Sequence, residues 1–119
     1  MELYANFNNK SVNPDTAIAI PHSGTNYVVI GPFPIEDFAR IAGVVSSDKA
    51  LSIAINQGIG PADVAVGGTP MLVTTVTCAA AGVQDFNVPT VGRCASIIIT
   101  NTDSTNAVAV KFWASARAI

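Results

Sequence analysis

The chain has 119 residues, a hydrophobic share of 50%, a charged share of 12% and a formal net charge of −2. One core is expected at this length, and the six basic residues (Lys10, Arg40, Lys49, Arg93, Lys111, Arg117) are scattered singly, which argues against nucleic acid as a ligand. No apolar run approaches the ~20 residues that span a bilayer, and the opening MELYANFNNK has no basic segment leading into an apolar one, so a soluble, cytoplasmically made protein without membrane contact is expected.

In chain order, residues 1–15 (MELYANFNNKSVNPD) are rich in turn-forming Asn, Ser and Pro and read as an N-terminal arm, mobile or embracing a partner. Residues 16–119 then form one domain. TAIAIPH at 16–22 and NYVVI at 26–30 are β-branched runs around the turn SGT and are predicted to be a first pair of strands. Pro21 places the first of them at an edge or at its own end.

GPFPIEDFARIAG admits two readings. Pro34 with Glu36 and Asp37 behind it suits the first turn of a short helix. The alternation of Phe38, Arg40, Ala42 and Val44 with Ala39, Ile41, Gly43 and Val45 suits a strand, and the turn SSDK followed by Leu51, Ile53 and Ile55 makes a hairpin the expectation. The strand from about Phe38 to Val45 is favoured.

Residues 57–70 (QGIGPADVAVGGTP) are predicted to be a long loop. Its Gly58 and Gly60 lack the third glycine and the strand–helix setting of a nucleotide loop, and Pro61 removes an N–H that such a loop would offer. Strands follow at MLVTTVTC (71–78), DFNVP (85–89, stopped by Pro89), ASIIITN (95–101) and AVAVKFWASA (107–116). Ile98 and Ile99 are both expected in the core. In the last strand Val108, Val110 and Phe112 point one way, Lys111 and Trp113 the other. Short strands with turn signals at these intervals describe an all-β antiparallel sandwich or barrel.

The same residues offer little for catalysis. His22 is the only histidine and follows a proline in a Ser-Gly turn, an exposed loop position more than a base. Asp37, Asp63, Asp85 and Asp103 lie in or beside predicted turns, where Asp is selected for local hydrogen bonds. Metal, calcium and hydrolase motifs are absent, and no cofactor is expected. Cys78 and Cys94 have no C-x-x-C spacing; they are buried thiols in a reducing cytoplasm or a disulfide in an extracellular particle. Trp113 suits an outer face, a partner contact or a sugar-stacking platform, with plain core packing as the alternative.

A charged share of 12% compares with about 25% in ordinary domains. So neutral an exterior fits a protein packed against neighbours; a small secreted or thermostable monomer is the other reading. From Phe38 onward the chain resembles small β-sandwich structural proteins of tailed-phage virions, of the head-decoration or minor capsid type. The resemblance rests on FARIAGVV with its SSD turn, on LSIAINQG and its Gly/Pro/Asp loop, on Phe86-Asn87-Val88, on Gly92-Arg93, on the apolar strand Ser96 to Asn101, and on the final strand Ala107 to Ala114. It implies a jelly-roll-like, non-enzymatic virion protein that forms a homo-oligomer, a trimer by preference, and clamps a major capsid protein. The candidate contacts are Leu3, Tyr4 and Phe7 in the arm and Phe112 and Trp113 in the last strand. A carbohydrate-binding or host-adhesion module on the same sandwich is the alternative.

Overall fold

A computed structural model gives the fold, describing the backbone of residues 2–3, 5–7, 10–12, 18–20, 27–78, 81–102 and 105–117, and the side chains of Ile20 and of 29–78, 81–102 and 105–117. The strands are β1 (Glu2–Leu3), β2 (Ala5–Phe7), β3 (Lys10–Val12), β4 (Ile18–Ile20), β5 (Tyr27–Pro34), β6 (Arg40–Ser47), β7 (Leu51–Gly58), β8 (Leu72–Cys78), β9 (Gly82–Pro89), β10 (Cys94–Asn101) and β11 (Val108–Arg117). A single helical turn, α1 (Pro61–Val64), lies between β7 and β8.

Two antiparallel sheets result. In the first, β11 pairs with β6 and β6 with β9, while β1 and β4 share the far edge of β11, opposite Ala114–Ser115 and Val108–Val110 respectively. The second runs β3-β2-β5-β10-β7-β8. Strands with one buried face alternate with period two, and both sheets turn that face to a common core: Leu51, Ile53 and Ile55 of β7, Ile97 and Ile99 of β10, Ile41 and Val45 of β6, and Val108, Val110 and Phe112 of β11. Each fully buried aliphatic side chain contributes about 1.5–3 kcal/mol.

Most strands fall where the alternation predicts, but two pairings do not. β6 and β7 are not a hairpin, because β6 belongs to the first sheet and β7 to the second. The corner between them is tied to β11: Asp48 Oδ1 accepts the Ala109 N–H at 2.8 Å, and Ser47 Oγ donates to the Lys49 carbonyl at 2.9 Å. Likewise β4 and β5 stand in different sheets and are not a pair. Apart from β2–β3 and β7–β8, each step along the described strands crosses to the other sheet.

Smaller differences have local causes. β6 begins at Arg40, two residues after Phe38, because Ile35 to Phe38 close a turn with the Phe38 N–H on the Ile35 carbonyl (3.1 Å); the helix alternative does not form. β9 starts at Gly82, so Asp85 stands on a strand and not beside a turn. Within the 57–70 loop, Pro61 opens α1, and Asp63 Oδ2 accepts the Gly60 N–H at 3.0 Å. Buried Val64 then seats this turn on the sheet, its carbonyl accepting the Ser96 hydroxyl at 2.5 Å. In the 1–15 segment, β1 pairs with β11 and β2 with β5, so the described backbone of the expected arm lies along edges of its own two sheets. Ile98, expected in the core, is only half-buried on the outer side of β10, whereas Ile99 is fully enclosed.

Candidate functional site: the β8–β9 side and the outer face at Trp113

Between Val64 and Gln84 the sequence has 21 residues without a charge. The fold places this run on β8, which closes one edge of the second sheet, and at the start of β9, which closes one edge of the first; the two edges adjoin. Among the described residues nine large apolar side chains are exposed, and seven of them (Ile59, Val66, Met71, Leu72, Val73, Val83, Val91) stand on β8, on β9 or in the loops that flank them. An edge strand usually blocks further pairing with Lys, Pro or a bulge. LVTTVTC in β8 has no charge and no proline, and among the described residues it pairs only with β7.

At the Leu72 end of β8 lies an open groove of about 490 Å³ whose walls include Ile59, Met71, Leu72 and Val91. Its floor is backbone. A Cβ on Gly92 would come within 2.7 Å of the Gly58 carbonyl, and the Arg93 N–H donates to that same oxygen at 2.9 Å. The glycines at 58 and 92 therefore serve close chain approach. Gln57 fixes the far wall: it is 1% exposed, its Oε1 accepts the Val91 N–H at 2.7 Å, and its Nε2 donates to the Pro89 carbonyl at 3.1 Å. Arg93 donates to Glu36 at 2.7 Å on the rim, and that hydrogen bond, with the carboxylate charge, pushes the guanidinium pKa further up.

The second surface is the outer face of the first sheet. Ladder register sets Trp113 beside Val44 with Asp85 beyond it, Ser115 beside Ala42 with Asn87 beyond it, and Arg117 beside Arg40. Trp113 is 38% exposed, with the Arg117 guanidinium 5.2 Å from its ring centroid. Arg117 Nε donates to Ser115 Oγ at 3.0 Å; Arg40 Nε donates to Asn87 Oδ1 and its Nη2 to the Asn87 carbonyl at 3.2 Å. Phe112, on the opposite parity, is 4% exposed. Its expected role as a partner contact is therefore corrected: it packs in the core, and only Trp113 of that pair reaches a surface.

Comparison with protein-family models, curated proteins and solved structures finds no match to this chain. Leu3 stands opposite Ala114 and Phe7 opposite Lys10 in backbone register, their side chains, like the whole of Tyr4, lying outside the described set. His22 and Asp103 also lie outside it.

Among the described residues no three His, Cys, Asp or Glu side chains gather as metal ligands, and no helix is long and apolar enough to cross a membrane. Cys78 stands opposite Leu51 and Cys94 opposite Gly58, at the two ends of β7. Seven residues of strand separate them by about 23 Å, against the ~7 Å that a disulfide spans. Neither is in a disulfide, and Cys78 is buried with its Sγ 3.3 Å from Ser47 Oγ.

Proposed function

We propose that this protein is a non-enzymatic structural component of a tailed-phage virion, a decoration or minor capsid protein that self-associates and docks on capsid subunits through its β8–β9 side. The observation that carries the assembly reading is the concentration of exposed apolar side chains around an uncharged edge strand in a chain that is 12% charged. Strand order supports the choice of assembly. Counting β4 to β11 as eight strands, the first, eighth, third and sixth line one sheet and the second, seventh, fourth and fifth the other. That order is read as a jelly roll of two Greek keys, an architecture frequent in viral capsid and lectin domains, and it agrees with the sequence resemblance.

Such a role asks for surface and not for chemistry. About 800 Å² buried per partner makes a specific contact, and repetition on a shell multiplies weak contacts by effective concentration. A homotrimer with a major capsid protein as partner is the expected arrangement, its location the virion. The N-terminal segment, through Leu3, Tyr4 and Phe7, is a further contact that would reach a neighbour by exchanging its short strands between copies.

Light scattering with shell co-sedimentation tests the reading. The parent should be oligomeric at micromolar concentration and sediment with capsid shells, while Met71→Glu with Val73→Glu should be a folded monomer that stays in the supernatant. A parent that is monomeric and indifferent to shells refutes it.

A further inference from the structure

The outer face at Trp113, which takes in Asn87 of β9, has no task in the proposed assembly. Arg40 and Arg117 stand directly opposite one another on β6 and β11, a like-charge ladder pair that on its own is unfavourable. Among the described residues neither has a carboxylate within ion-pair distance, while the other guanidinium away from this face, Arg93, has Glu36. Both are nonetheless held in place by neutral groups, Arg117 by Ser115 Oγ and the Trp113 ring, Arg40 by Asn87. A guanidinium has five N–H donors. Those bonds leave the Nη groups of Arg117, and Nη1 of Arg40, without a protein acceptor among the described residues.

Each guanidinium keeps N–H donors of the kind that a carboxylate accepts in bidentate fashion. Ala42 and Ser115 on this face are small and buried, and the Arg117 guanidinium lies across Ser115 against the Trp113 ring, with the rest of the exposed indole beside it. Asn87 adds an amide to the rim. An indole next to hydroxyl and amide groups suits the apolar face and the hydroxyls of a pyranose ring. We infer that the Trp113–Arg117–Arg40–Asn87 patch is a binding site for a carboxylate-bearing saccharide, a uronic or sialic acid residue of a surface polysaccharide. Asp85 stands on the far side of Val44, and Glu2 is in register opposite Ser115, so two acids border the patch at its margins.

Trp113 is the only tryptophan, so intrinsic fluorescence reads the site directly. The full chain is titrated with a galacturonate tetrasaccharide and with sialyllactose, and in parallel with lactose and with hexaglutamate. Saturable quenching by at least one acidic saccharide, about tenfold or more tighter than by lactose, is expected, with a loss of about tenfold in Arg40→Gln and in Arg117→Gln at unchanged melting temperature. Four results overturn the inference: no saturable change with either acidic saccharide, equal affinity for lactose, binding untouched by both arginine variants, or hexaglutamate binding as tightly, which would make the patch a site for acidic protein segments. Light scattering on the same samples keeps the outcome separate from the assembly proposal, since the arginine variants should leave the oligomer intact.

Discussion

Gln57→Leu removes an amide that is 1% exposed and joins the end of β7 to the loop after β9. Leucine fills much the same volume, so the change isolates polar pairing. Three contacts disappear: the 2.7 Å acceptance from Val91, the 3.3 Å acceptance from Gly92 and the 3.1 Å donation to Pro89. At about 1 kcal/mol for each good bond, with further loss where a buried donor stays unpaired and some recovery from water at the exposed rim, the net destabilisation is about 2–3 kcal/mol. For a chain of this length that is a fall in Tm of about 10 °C, and about 1.5 M in urea midpoint. Amide exchange at Val91 should accelerate in parallel. A loss below about 0.5 kcal/mol, with Val91 still protected, would refute the view that Gln57 anchors this wall. Gln57→Glu supplies a sign test. Burial raises the carboxyl pKa in the folded state above its unfolded value of about 4.3, so this variant should be most stable below that pH and lose stability as pH rises through the folded value.

The remaining predictions concern the core, a crowded glycine and the thiols. Ile99→Asp should abolish the cooperative melt, since an unpaired buried charge costs several kcal/mol, whereas Ile98→Asp, on the outer side of the same strand, should still melt cooperatively; circular dichroism separates them. Gly43→Ala should lose about 3 kcal/mol by denaturant titration, because a Cβ there would lie 2.7 Å from Phe86 Cζ and against the Trp113 carbonyl, a backbone atom that cannot turn aside. The melting temperature should be the same with and without reductant, and a thiol reagent should find two free thiols after unfolding; reductant-sensitive melting would contradict the separation of Cys78 and Cys94 along β7.

Strand existence and facing were legible in the sequence because burial on one face writes itself as period two. Leu51, Ile53, Ile55 and Val108, Val110, Phe112 are such cases, and the same parity put Trp113 outside. Pairing was not legible. A strand with one buried face satisfies its pattern in either sheet, so nothing in SSDK distinguishes a hairpin from a corner; the bonds from Asp48 to Ala109, 61 residues away, decide it. Nor was the pairing of the N-terminal segment legible, since short polar segments carry too few side chains to reveal that their described backbone pairs along β11 and β5. The two candidate surfaces divide in the same way. By itself the sequence determined that charge is scarce and that residues 64–84 have none. Only the tertiary structure brought that run onto two adjoining edges, and only ladder register set Arg40 against Arg117, since residues 77 apart in sequence become neighbours solely through long-range strand pairing.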